Sequence, residues 1–317
     1  KRMTLPKLIL SALIFMTSIT INAQQALTVA DITTNNRFTA ARVNTAKRLD
    51  GEEVMQEHYT LKAENKKSIY RRSFTAEYTV KDNTTGKTAK IKGQIKVPTM
   101  SPDGKHIACG RDNNRYIINV EMLLSGEDYS KAEKAVTTDG ENNKIINGHA
   151  DWVYEEEFGQ TKMMAFTDDG SALAWVRFDE TDVKQMQLQF HDNDSYPRIY
   201  QFKYPKAGED NAKVSVCAYN LESQTVSKKA LDINKEDYIP VIKTIPADCN
   251  KVMACIVNRH QDEMKLWKLD CKSDNKQLLV TLKSNCYLPE EAVTDLTLYT
   301  DGFVVLNDNE GKMQPFL

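Results

Sequence analysis

Ser101-Pro102-Asp103-Gly104 runs directly into Lys105-His106-Ile107-Ala108. A turn-forming tetrapeptide thus feeds an apolar, strand-like segment. The Asp side chain bonds nearby backbone, and the Gly accepts a positive φ. The arrangement returns along the chain. Thr167-Asp168-Asp169-Gly170 precedes Ser171-Ala172-Leu173-Ala174-Trp175, and Tyr299-Thr300-Asp301-Gly302 precedes Phe303-Val304-Val305-Leu306. Pro246-Ala247-Asp248-Cys249-Asn250, before Lys251-Val252-Met253-Ala254, reads as a degenerate copy with Asn in place of Gly. Such recurring punctuation in a strand-rich chain marks the blades of a β-propeller. The copies are unevenly spaced, so insertions lie between them. An irregular β-sandwich built on common turns is the alternative fold.

Alternation at period two surrounds these turns. Phe74, Ala76, Tyr78 and Val80 alternate with polar residues, as do Ala89, Ile91, Gly93, Ile95 and Val97. Asp82-Asn83-Thr84-Thr85-Gly86 lies between them, so 73–80 and 89–97 read as a hairpin. The alternation recurs at Met186, Leu188 and Phe190, and at Tyr200, Phe202 and Tyr204. Residues 252–257 and 278–282 are continuous apolar runs, which suit strands buried on both faces. No long segment keeps a helical period.

Lys1, Arg2 and Lys7 make a basic start, Leu8 to Ile21 is uncharged, and Ile21-Asn22-Ala23 precedes Gln24. This reads as a secretory signal peptide over 1–23, too short to span a bilayer comfortably. The expected organisation is that peptide, a lead-in segment over 24–60, and a propeller region over 61–317. No later segment is apolar enough to span a membrane. The expectation is an exported protein, periplasmic or extracellular, with no membrane span after signal removal. A net charge of −2 with no basic stripe gives no reason to expect nucleic acid. The six cysteines select no disulfide pairing and show no metal-binding spacing. Cys255, in Val-Met-Ala-Cys-Ile-Val, reads as a core residue. No metal and no cofactor is expected.

Asp151-Trp152-Val153-Tyr154-Glu155-Glu156-Glu157 carries the chemistry. Three successive carboxylates repel one another and need either a counter-charge or full solvation. A short acidic run is by base rate a wet surface patch. The functional alternative is a cation site, with an amine held through charge-assisted hydrogen bonds.

Ile146-Asn147-Gly148, followed two residues later by Asp151 to Glu157, resembles the glutamate motif of the dipeptidyl peptidase IV family. Further stretches match in the family's order. Upstream are Tyr70-Arg71-Arg72-Ser73-Phe74-Thr75-Ala76-Glu77-Tyr78 and Arg111-Asp112-Asn113-Asn114. Downstream are Arg177-Phe178-Asp179-Glu180-Thr181-Asp182-Val183 and Tyr204-Pro205-Lys206-Ala207-Gly208, then Asp237-Tyr238-Ile239-Pro240 and Asn258-Arg259-His260-Gln261. The resemblance covers about 60 to 310 and implies an eight-bladed propeller followed by an α/β-hydrolase domain. It further implies a serine peptidase that removes Xaa-Pro or Xaa-Ala dipeptides from free peptide N-termini. By position, Glu156 and Glu157 would hold the substrate's α-ammonium. Arg71 would bond the carbonyl between the first two substrate residues and help orient the glutamates. Glu155 is the lesser contact, and Arg72 serves as a control, because strand neighbours point to opposite faces. The implied partners are peptide N-termini, the hydrolase domain of the full-length protein, and a second copy in a homodimer.

The chain contains no Gly-x-Ser-x-Gly elbow, so no catalytic residue is assigned and the chain alone is expected to be inactive. It is expected to stop before the propeller closes, which would expose strand edges and favours a fragment. Arg115, Cys109 and Gly110 stand where the family has larger or apolar residues, and weakened blade packing is the expected effect. Two other readings stay open. One is a non-catalytic propeller that binds peptides or proteins at the cell envelope; the other is an unrelated envelope scaffold.

Overall fold

The computed structural model describes residues 58–126, 128–191, 193–309 and 312–316. The expected signal peptide and most of the lead-in segment lie outside the described residues. Six strands form the first sheet, in chain order: β1 (Tyr59–Ser68), β2 (Phe74–Asp82), β3 (Thr88–Met100), β4 (His106–Arg111), β5 (Asn114–Asn119) and β6 (Glu133–Ala135). β3 serves two neighbours in succession. Its first part pairs with β2 and its last part with β4, and the register shifts between Lys96 and Thr99. Val97 bends the strand at φ 41°, where a β-branched residue is strained.

The second sheet sets β7 (Ile145–Asn147) and β8 (Met164–Phe166) beside β9 (Ala172–Asp179), which pairs on with β12 (Lys213–Asn220) and β13 (Thr225–Lys228). Between β9 and β12 the chain leaves the sheet as a separate hairpin, β10 (Gln185–Phe190) and β11 (Arg198–Lys203). Four antiparallel strands follow: β14 (Tyr238–Thr244), β15 (Lys251–Val257), β16 (Glu263–Asp270) and β17 (Lys276–Lys283). The last sheet is β18 (Thr297–Leu298), β19 (Phe303–Asn309) and β20 (Lys312–Phe316). Consecutive antiparallel sheets of this kind make a propeller-like, all-β domain. No α/β-hydrolase domain occurs among the described residues.

Each quoted turn links two strands of one sheet, and the first three along the chain touch one another in succession across neighbouring sheets. Ser101 Oγ donates to Asp103 Oδ1 at 2.6 Å, and Thr167 Oγ1 does the same to Asp169 at 2.6 Å. Gly104 and Gly170 take φ 71° and 69°. A Cβ on Gly170 would stand 2.6 Å from the Asp103 carboxylate, so the first turn presses on the second. Asp168 Oδ2 accepts from Ala247 N at 3.0 Å, and Ser171 Oγ bonds Asn250 Oδ1 at 2.9 Å. The degenerate copy is therefore a true copy, with Asn250 at φ 64°. The last copy differs from expectation, since Gly302 lies outside the positive-φ region.

Other expectations divide. The hairpin of β2 and β3 forms as read, and β15 is buried along 252–257. The 278–282 run is not buried on both faces. It lies in β17, at the edge of its sheet, with Leu278 42% exposed. An apolar run alone does not report a strand's place in its sheet. All six cysteines are free, with Cys255 fully buried.

The expected weakening of packing at Cys109 and Gly110 takes another form. Cys109 sits in the core of the first sheet. Gly110 pairs with Arg115 across β4 and β5, and a Cβ there would lie 2.0 Å from Arg115 Nη2. The space vacated at Gly110 is filled by the arginine. Arg115 is fully buried, yet its Nε and Nη2 have no hydrogen-bond partner, and Nη1 only approaches Met164 Sδ at 3.7 Å.

Candidate functional site

The acidic stretch folds as a single helical turn, Trp152–Glu156. Asp151 caps it, accepting from Tyr154 N at 2.9 Å. Burial pushes the Asp151 carboxyl up to about 6, against the pull of its backbone hydrogen bonds. Tyr154 anchors the turn in the core. Its hydroxyl accepts from Ile239 N at 2.8 Å, and its ring meets Phe178 edge-on at 4.8 Å. The loop that leads in requires glycine. Gly148 has φ 69°, and a Cβ would stand 3.0 Å from Arg115 Cδ and 3.2 Å from Trp175.

The three glutamates meet three different fates. Glu155 is 4% exposed, and its Oε1 accepts from Arg72 N at 2.7 Å and Ser73 N at 2.8 Å. Glu156 faces Arg71, with Nε 3.0 Å from Oε2. The contact is an ion pair and not a hydrogen bond, and Glu156 Oε2 is buried without a hydrogen-bond donor among the described residues. Glu157 is exposed and makes no side-chain ion pair with the described residues. Both outward carboxylates end the helical turn, where backbone carbonyls also present their negative ends. The structure brings Arg71 to Glu156 across 85 residues of sequence, and Glu157 follows Glu156 directly in the chain.

Arg71 lies in the turn between β1 and β2, not in a strand. The alternation argument that made Arg72 a control does not apply there. Arg72 is engaged: its Nη1 donates to the Glu155 backbone carbonyl at 3.0 Å. Sequence reasoning missed this residue and understated Glu155, because both act through partners 82 and 83 positions away.

An aromatic wall stands beside the acidic turn. Trp152 lies 4.3 Å from Tyr204, 5.7 Å from Phe202 and 6.0 Å from Tyr70, measured between ring centroids. The alternating residues of β10 and β11 supply much of it, which explains why that half-exposed hairpin carries apolar side chains. Behind Glu155 lies a small cavity lined by Lys96, Asn113, His149, Glu180 and Lys203. Burial raises Glu180 to about 7, and Asp151 adds to the rise while Lys203 opposes it. Burial also holds Lys96 below its usual value, with the Arg115 charge adding to the effect. Burial depresses His149 well below the ordinary histidine range, and Lys96 and Arg115 deepen the fall. No cluster of His, Cys, Asp and Glu suited to a metal ion occurs among the described residues. Nor is any helix among them long and apolar enough to cross a membrane.

Antiparallel blades whose Asx-containing turns touch, with Glu156 paired to Arg71, define a propeller-like domain. A family model, the dipeptidyl peptidase IV (DPP IV) N-terminal region, matches residues 55–314. The probable dipeptidyl-aminopeptidase B of Trichophyton verrucosum is 32% identical over 222 residues, 64% of this chain and 24% of that protein. Dipeptidyl-aminopeptidase B of Aspergillus niger is 30% identical over 230 residues, 67% of this chain and 24% of that protein. The crystal structure of Porphyromonas gingivalis dipeptidyl peptidase 4 superposes with a TM-score of 0.75 at 32% identity, covering 82% of this chain and 36% of that one. A putative dipeptidyl aminopeptidase IV from Bacteroides ovatus shares the fold, with a TM-score of 0.59 at 20% identity over 77% of this chain and 33% of that one. The chain belongs to the dipeptidyl peptidase IV family and carries its N-terminal region. It spans about a quarter of the length of the curated relatives it matches.

Proposed function

We propose that this chain is the substrate-reading propeller portion of an exported serine dipeptidyl peptidase, and that Glu156, Glu157 and Arg71 hold the free N-terminus of a peptide. The observation that carries the reading is the state of Glu156 Oε2. It is a buried acceptor that forms an ion pair with the Arg71 guanidinium at 3.0 Å but receives no hydrogen bond among the described residues. Such an oxygen is costly unless a donor reaches it. An α-ammonium supplies three donors and a charge, and the exposed Glu157 adds a second carboxylate. Arg71 is 65% exposed at its side chain and keeps donors free for a peptide carbonyl.

An amine fixed at one point turns the site into a ruler. Extended chain advances about 3.3–3.6 Å per residue, so a bond two residues in lies about 7 Å from the clamp. Longer N-terminal extensions would leave the carboxylates without a cation. Cleavage would come from a Ser-His-Asp triad on an α/β-hydrolase domain, with no metal or cofactor. Export follows from the basic start and apolar run of residues 1–23.

Ligand-observed NMR titration of a Gly-Pro-initiated pentapeptide against its N-acetylated form tests the clamp. The free amine should bind at least tenfold tighter, since a charge-assisted hydrogen bond contributes about 1.5–3 kcal/mol. Glu156→Gln should erase most of that preference, whereas Arg71→Met should weaken both peptides and leave the preference in place. Equal binding of the two peptides by the unaltered chain would overturn the reading.

A further inference from the structure

We infer that Glu155 and Arg72 are positioning residues that lock the tip of the first hairpin to the acidic turn, and so set the distance between Arg71 and Glu156. This rests on the clamp reading above and adds to it two residues that touch no substrate. Three hydrogen bonds make the lock. Glu155 Oε1 accepts from Arg72 N at 2.7 Å and Ser73 N at 2.8 Å, and Arg72 Nη1 returns one to the Glu155 carbonyl at 3.0 Å. Each clamp residue is the immediate neighbour of a locked one: Arg71 precedes Arg72, and Glu156 follows Glu155.

The geometry separates positioning from contact. Glu155 is 4% exposed and lines the inner cavity, whereas the Glu156 side chain is 22% exposed and faces Arg71. A carboxylate spent on two backbone amides is also turned away from the cation site. The Arg72 guanidinium lies along the end of the helical turn, 3.8 Å from the place a Cβ on Gly159 would take. It serves a terminal carbonyl that the short helix leaves without an intrahelical partner. Residues 70–73 lie in a turn, where backbone freedom is large unless something ties it. With the tie cut, Arg71 samples positions away from Glu156, and a clamp built from two chain segments loses its fixed geometry.

The same NMR titration, on the full chain with the Gly-Pro-initiated and N-acetylated pentapeptides, separates this inference from the clamp itself. Glu155→Leu should weaken free-amine binding on the order of tenfold to a hundredfold, the scale of a misplaced contact. Arg72→Met should weaken it in the same direction and by less. Glu155→Gln keeps an oxygen acceptor for both amides without the charge, and should recover most of the binding lost in Glu155→Leu. A direct amine ligand would fail that rescue, because its charge is what the ligand needs. Thermal melting of each variant guards against a collapsed fold. Should Glu155→Leu not fold, Arg72→Met decides alone. Unchanged free-amine binding in folded Glu155→Leu or Arg72→Met overturns the lock, as does a Glu155→Gln as weak as Glu155→Leu. Loss of the free-amine preference in the unaltered chain instead overturns the clamp.

Discussion

Two buried charges, Glu155 in the acidic turn and Arg115 beneath Gly148, are treated in opposite ways. Glu155 enters the interior with its partners already placed: two backbone amides of the first hairpin close on one oxygen. Arg115 enters under Gly148, and among the described residues nothing answers its Nε or Nη2. The first charge joins two segments of chain. The second only occupies space that Gly110 leaves. A buried charge contributes to specificity when its hydrogen bonds are satisfied, and otherwise it costs stability. Arg115 cannot escape by shedding its proton. Burial lowers it to about 10, which still leaves it charged at neutral pH.

The sharpest way to break the comparison is at Gly110. Gly110→Val would place side-chain atoms on the Arg115 guanidinium, 2.0 Å from Cβ. A loss of about 3 kcal/mol in urea unfolding is expected. The double variant Gly110→Val with Arg115→Leu should be more stable than the sum of the two single effects, and a simple sum would show that the two positions do not share one space.

Arg115→Leu alone tests the unpaired charge. It should raise stability by about 1–2 kcal/mol, because relief of the charge exceeds the small cavity left over Gly110. A lower melting temperature would mean that Arg115 finds a partner in solution.

The pH-dependent effect concerns Glu180, a buried carboxyl with no side-chain hydrogen bond or ion pair among the described residues. A carboxyl has an escape that arginine lacks, since it can be neutral. Its folded value of about 7 stands above its ordinary 4.5. The folded state therefore holds this proton more tightly, and stability from this group falls as pH rises from about 4.5 to about 7. Glu180→Gln should remove that fall, gaining about 3 kcal/mol over the parent at pH 8 relative to pH 4.5. Identical pH profiles for the two proteins would show that Glu180 is not buried as described.

Much of this was readable in advance. The Asp-Gly turns announced the blades because a turn that needs φ > 0 and a local carboxylate leaves its mark in a few adjacent residues. The hairpin of β2 and β3 was legible for the same local reason. Arg71, Glu156 and Glu157 were reached through the order of motifs rather than through spacing. Arg72 was misread because a turn was taken for a strand, and in a turn neighbouring side chains need not alternate. The edge position of Leu278 was hidden because an apolar run looks alike at the centre and rim of a sheet.

Local sequence sets the strand pattern, the turn chemistry and the acidic run, since all depend on residues within a few positions of one another. The tertiary structure decided what each glutamate does. Three adjacent residues of one type became an interior acceptor, a partner of Arg71 and a solvated carboxylate. That division depends on which backbone amides arrive from 82 residues upstream, and no local pattern records them. The fate of Arg115 was decided in the same way, by the glycine packed across from it and by the lack, among the described residues, of an acceptor for its Nε and Nη2.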